Sequence, residues 1–309
     1  MILALKANFI CFIKLFFKFS LMKEQFRLGT FNKVLLATDL TPQSDNLLGC
    51  LVSLCPDVET EVVLAHVFDD DEDADPHGSE YKDTIEHLDG YKVKLQKHGY
   101  EEISVLTPQG DDADEVLNKI AEKQDVDLVM VASHGKGFFE RTFHGSTTYD
   151  LAKDITIPLF IDRDDDDDNN DKLLANILVP TDFSKRSLEA LNIIRSLREY
   201  VGKVHFLHVI EHSRDRQELR LKESDAEVQL EELVEELKVF GIDADFHISK
   251  GVASKRIDVM CERENISMIM LGRSGTGLNS ALELGSTAEN VILNVDRSIL
   301  LLPADDNDD

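Results

Sequence analysis

Short runs of Val, Ile and Leu recur along the chain, and between them lie longer segments whose apolar residues return at helical spacing. "NKVLLATD", "VVLAHVFDD" and "VDLVMVASHG" are of the first kind, whereas "DEVLNKIAEKQ" and "DAEVQLEELVEELKVFG" are of the second. Runs that are apolar throughout, without alternation, suit strands buried on both faces. Strands alternating with amphipathic helices imply a parallel sheet covered by helices on both sides. In such a sheet, ligands collect beyond the carboxyl ends of the strands, where the winding direction switches.

The pattern then repeats. "NKVLLATDLTPQSDNLL" (Asn32 to Leu48) returns as "ANILVPTDFSKRSLEAL" (Ala175 to Leu191), with an apolar strand ending in Thr-Asp before a helix in both. "VVLAHVFDD" is answered by "VHFLHVIEH", and "VDLVMVASHGKGFFERTFHGSTT" by "ISMIMLGRSGTGLNSALELGSTA". The shift is 143 from Asp39 to Asp182, 142 from Val67 to Val209 and 140 from Gly145 to Gly285, so one domain has been duplicated. The fold class expected is α/β, as two tandem Rossmann-like domains, each a parallel sheet with helices on both faces. The boundaries expected are an apolar and basic extension over 1–30, a first domain over 31–161, an acidic linker over 162–173, a second domain over 174–304 and an acidic tail over 305–309. The block "DRDDDDDNNDK" has no apolar residue and reads as a solvated spacer. It lacks the alternating ligands, central Gly and closing Glu of a calcium loop.

The second copy carries a glycine-rich stretch, "LGRSGTGLNSALELGST", directly after the run "ISMIM". No Lys follows any of its glycines, as a Walker loop requires, and Gly275-Thr276-Gly277 supplies only part of a dinucleotide fingerprint. What remains is a strand end at Gly272, a turn to Gly275, nine residues, and Gly285-Ser286 opening the run "TAENVIL". Bare backbone and a hydroxyl at a helix start can cradle an anion, and they can equally serve chain reversal alone.

The formal net charge of −27, from 33 basic and 60 acidic residues, repels phosphate backbones and argues against a nucleic-acid partner. Cys11, Cys50, Cys55 and Cys261 show no metal-ligand or CxxC spacing, which fits a reducing, cytoplasmic setting, and no metal site is expected. In the opening "MILALKANFICFIKLFFKFSLM", Lys6, Lys14 and Lys18 interrupt every apolar run before the roughly 18–20 residues of a spanning helix. A basic amphipathic helix resting on a membrane is the one membrane role left open for it. Met22 is an alternative start.

The spacing Gly-x2-Gly-x9-Gly-Ser, with an Asp ending the first strand, resembles the universal stress protein family, here as a tandem two-domain member covering about Asn32 to Pro303. The resemblance implies a stress-response regulatory protein that binds ATP, with or without magnesium, or another adenosine nucleotide. It places phosphates at Gly272, Gly275, Gly285 and Ser286, the ribose side at Asp182 and adenine by Val209, with Thr181, Arg273, Ser274 and Thr287 as further nucleotide-binding positions. In the first copy the matching positions are Thr38, Asp39, Val67, Ala132, His134, Gly135, Gly145 and Ser146. Ala132 stands where the motif has its first glycine, so a weaker site is expected there. His134 reads either as a ligand contact or as a solvent-facing turn residue. His66 and His208 lie within apolar strands and read as core histidines.

Only Arg273 is basic around the motif, and no nucleophile-base order is visible. A catalytic role is therefore not expected, slow ATP hydrolysis aside. The competing reading is a scaffold that acts through pairing of its domains and binds no nucleotide. Self-association is expected, within one chain or as a homodimer.

Overall fold

In a computed structural model of the chain, residues 31–68, 78–133, 147–163, 172–274 and 284–303 are described. The first copy runs β1 (Lys33–Ala37), α1 (Pro42–Leu54), β2 (Glu61–Ala65), α2 (Ser79–Lys97), β3 (Ile103–Leu106), α3 (Ala113–Gln124), β4 (Leu128–Ala132), α4 (Thr147–Asp154) and β5 (Leu159–Asp162). The second runs β6 (Asn176–Pro180), α5 (Lys185–Ser196), β7 (Lys203–Ile210), α6 (Arg216–Val239), β8 (Asp243–Lys250), α7 (Ala253–Arg263), β9 (Met268–Gly272), α8 (Ser286–Asn294) and β10 (Ser298–Leu302). The strands are the apolar runs of the sequence, and β10 is buried at all its positions.

All ten strands form one sheet in the order β3-β2-β1-β4-β5-β10-β9-β6-β7-β8. Each half is parallel, and the order of the second half mirrors that of the first. The join is the antiparallel pair β5 and β10, in which Phe160 faces Leu300, Ile161 faces Ile299 and Leu159 faces Leu301. At the repeat offset of 140, Phe160 corresponds to Leu300 and Leu159 to Ile299. Equivalent strands thus meet about a local twofold centred on Phe160 and Leu300.

Successive residues of a strand point to opposite faces, so each face acquires its own core. Val34, Leu36, Phe160, Ile177, Met268 and Leu300 pack on one face against α1, α2, α5 and α6. Leu35, Val129, Ile161, Leu178, Ile269 and Leu301 pack on the other against α3, α4, α7 and α8. Neither core is interrupted at the join. Cys50, Cys55 and Cys261 are buried within these layers and are not joined in disulfides among the described residues.

The expected layering holds, with one addition and one revision. Two separate sheets were implied by two domains, whereas both final strands, apolar on either face, pair edge to edge. The backbone groups of such an edge need partners. Residues 162–173 read as a solvated spacer, yet the described ends of that span are internal. Asp162 completes β5 at 2% exposure, Arg163 is 5% exposed, and Leu173 is buried. The run of Asp residues masked these flanks in the sequence. The extension 1–30, the acidic residues 164–171 and the tail from 304 lie outside the described residues. Among the described residues, no helix is long and apolar enough to cross a membrane.

Candidate functional site

The Thr-Asp sequence after the first strand folds into the same turn in both copies. Thr38 Oγ1 accepts from the Leu40 amide at 2.9 Å, and Thr181 Oγ1 from the Phe183 amide at 3.0 Å. Asp39 Oδ1 accepts from the Thr41 amide and Asp182 Oδ1 from the Ser184 amide. Leu40 and Phe183 take φ values of 60° and 65°, a left-handed conformation uncommon for bulky residues and often kept at functional turns. A histidine from the neighbouring strand braces each turn: Nδ1 of His66 lies 2.9 Å from the Thr38 carbonyl, and Nδ1 of His208 lies 2.9 Å from that of Thr181. A carbonyl only accepts, so in both rings Nδ1 carries the proton. These histidines fix the turn, but both are half-buried rather than core residues, and His208 borders the cavity that adjoins its turn.

In the second copy this turn borders a cavity of about 880 Å³ at the carboxyl ends of β6, β7 and β9. Its walls include Thr181, Asp182, Val209, Gly272, Arg273, Ser274, Gly285, Ser286 and Thr287, so these sequence-derived positions converge on one space. Phe183, stacked on His208 with centroids 4.6 Å apart, adds an aromatic wall that the repeat alone did not single out. Gly275 lies outside the described residues.

Helix α8 starts at the cavity. Its N-cap is Gly285, and among the described residues no side chain caps it, so a helix start with its first-turn amides is presented at the cavity. Gly285 itself has φ −66° and ψ 145°, values open to any residue. Gly272 pairs with Leu302 inside β9 and is not among the glycines of positive φ. Neither glycine is demanded by backbone conformation. Asp182, Glu211, Asp225 and Glu289 also border the space, against Lys222 and Arg273.

Arg273 is placed differently from its expected role. The residue borders the cavity, but it is 2% exposed and its guanidinium donates to the Ile155 carbonyl, at the end of α4 in the first copy. Burial pushes the pKa of this group down. A second buried arginine crosses the join the other way: Arg163 donates to the Ile292 and Val295 carbonyls at the end of α8. Tyr149, on α4, donates to Glu289 on α8, its counterpart at the repeat offset of 140. Contacts of this kind were invisible in the sequence, because nothing in the spacing of either copy says which residues of the other it meets.

In the first copy, Thr38 and Asp39 occupy the matching turn, Val67 packs against the core beyond β2, and Ala132 ends β4 beside Asp162. Asp39 Oδ1 also accepts from the hydroxyls of Thr41 and Ser44. His134, Gly135, Gly145 and Ser146 lie outside the described residues.

Residues 30–163 and 174–303 each match the model of the Universal stress protein family. A universal stress protein from Archaeoglobus fulgidus is 25% identical, with a TM-score of 0.69 over 90% of this chain and 98% of its own. A protein of unknown function from Pseudomonas aeruginosa, PA1789, shares the fold at 16% identity and a TM-score of 0.64, over 91% of this chain and 95% of its own. Among curated proteins, Universal stress protein MJ0531 of Methanocaldococcus jannaschii is 28% identical over 145 residues, 43% of this chain and 85% of that protein.

Proposed function

The chain belongs to the universal stress protein family, and on that premise we propose that its second copy is a regulatory binding module for an adenosine nucleotide, ATP foremost. The phosphates lie along Gly272, Ser274, Gly275, Gly285, Ser286 and Thr287, the ribose by Thr181 and Asp182, and the base by Val209. The Arg273 guanidinium is engaged with the Ile155 carbonyl. One observation carries the reading: Gly272 and Gly285 border the cavity in conformations that any residue adopts. Their missing side chains then leave room for close approach of a ligand at a helix start, which is what a phosphate needs. The acidic wall favours a nucleotide whose charge is offset by magnesium. The site is one of binding, with occupancy sensed across the join by partners outside the chain.

The decisive measurement is calorimetric titration of the purified chain with Mg-ATP, preceded by extraction of any nucleotide retained through purification. Gly272→Ala is expected to weaken ATP by roughly tenfold to a hundredfold, the loss of one charge-assisted contact, with a nearly unchanged melting temperature. Ala132→Gly is expected to strengthen the first copy. Parental affinity in Gly272→Ala, or no adenosine nucleotide bound at all, would leave the pairing scaffold as the better reading. Association between chains has to use surfaces other than β5 and β10, which already pair with each other.

A further inference from the structure

Across the amino-terminal half of β7 and the middle of β8, three donor side chains that do not border the cavity meet on the face covered by α7. The register sets His205 opposite Asp245, and His247 lies two residues along the same strand. Side chains two apart share a face of the sheet. Nδ1 of His205 is 2.7 Å from Asp245 Oδ1, and Nε2 of His247 is 3.6 Å from the same oxygen. One donor atom from each of the three lies within 4.8 Å of the others. His205 is 2% exposed, while Asp245 and His247 are part-exposed, so the trio is closed below and reachable from outside.

We propose that His205, Asp245 and His247 form a transition-metal site of the Zn²⁺ type, with two imidazole nitrogens, one carboxylate oxygen and an open position for water. Two nitrogens and an oxygen suit Zn²⁺, whereas Ca²⁺ and Mg²⁺ favour shells of oxygen alone. Two hydrogen-bonded strands hold the donors at fixed spacing, so little ordering is left for the ion to impose. Lys203 Nζ sits 2.7 Å from Asp245 Oδ2 and steadies the carboxylate, leaving Oδ1 for the metal. Nε2 of His247 is buried and has no hydrogen-bond partner among the described residues.

The protons balance without release. The His205 ring, with its proton on Nδ1 toward Asp245, passes it to Nε2 when Nδ1 ligates. Arg263 donates to Nδ1 of His247 at 3.0 Å, which leaves that ring's proton on Nε2. Ligation through Nε2 sends the proton to Nδ1 and turns the Arg263 NH2 group aside, while its Nε keeps the 2.8 Å bond to Glu264. Arg263 therefore competes with the ion, and the oxidation state of every group is unchanged. The inference is independent of the nucleotide reading, since His205, Asp245 and His247 are not among the residues that border the cavity.

The test is titration of the full, chelator-stripped chain with ZnCl2 against a chromophoric competitor, and with CoCl2 by visible absorption. One tightly held ion per chain is expected, with a cobalt ligand-field band of a low-coordinate site. His247→Ala should weaken Zn²⁺ by a hundredfold or more and abolish the band, and Asp245→Asn should weaken it by at least tenfold. Arg263→Ala should tighten binding several-fold. If His247→Ala does not fold, Asp245→Asn and the parental cobalt spectrum decide alone. Zn²⁺ affinity unchanged by Asp245→Asn, as for ions held in the acidic runs, overturns the site. So does a cobalt spectrum of octahedral, all-oxygen type, and unchanged affinity in Arg263→Ala removes His247 Nε2 as a ligand.

Discussion

At the scale of single residues, the glycines separate into kinds that the sequence does not distinguish. A Cβ on Gly202 would lie 2.4 Å from the Ala175 carbonyl oxygen, a backbone atom held by the strand pairing around it. Gly202→Ala should therefore lower stability by about 1–3 kcal/mol, read as a shift of the urea midpoint at constant m-value. Gly90 is exposed inside α2, and a Cβ there meets nothing within 4 Å. Gly90→Ala should raise stability by about 0.5–1 kcal/mol. An unshifted midpoint in both would mean that local sterics are being absorbed elsewhere. The motif glycines were legible because their spacing is itself a signal, and Gly272 and Gly285 do reach one cavity with Asp182. Arg273 was misplaced for the opposite reason: a basic residue beside a phosphate motif reads as a ligand contact, and only tertiary packing sends its guanidinium to the Ile155 carbonyl.

At the scale of elements, α6 shows how a helix end couples to pH. Asp215 caps it by accepting from the Gln217 and Glu218 amides, and Glu218 reaches back to the Arg214 amide and forward to Lys222. Asp215→Ala should cost about 0.5–2 kcal/mol, visible as faster amide exchange confined to the first turn of α6. The Glu218 carboxyl is held below its ordinary pKa, chiefly by the Arg214 amide and then by Lys222. A depressed carboxyl contributes its stabilisation above the unfolded value, near 4.3, and loses it as pH falls through the lower folded value. Glu218→Gln should thus be less stable than the parent at pH 7, with the difference vanishing once the pH has fallen below the lowered folded value. A gap that persists in acid would assign it to packing. Strands and helices were readable because hydrophobic period reports burial. Cross-strand register was not, and the meeting of His205 with Asp245 is a matter of register alone.

At the scale of the molecule, the join between the halves is built from unlike parts. Arg163 holds the end of α8, and its counterpart at the repeat offset is Pro303, which cannot return the contact. Burial brings the Arg163 pKa down to about 10, so the folded state bears a cost for this charge that its carbonyl partners offset. Arg163→Ala leaves those carbonyls uncapped and a gap in the core, and should destabilise the chain by about 2–4 kcal/mol in chemical unfolding. Tyr149 meets Glu289, whereas two second copies placed together would set Glu289 against Glu289. Residues 31–163 and 172–303, produced as separate chains and mixed, should accordingly elute as a one-to-one complex by light scattering. Two populations of homodimers would show that the asymmetry carries no preference. The duplication was legible in the sequence, but this asymmetry was not, since alignment of the copies displays what they share. Two identical subunits meeting on an axis must accept, at each position near it, a residue that tolerates its own image. A covalent tandem escapes that restriction, so mutations on one side of the seam can be answered on the other. Descendants of the duplication can then divide their inheritance, one half keeping what the other loses, while each molecule still carries one of each.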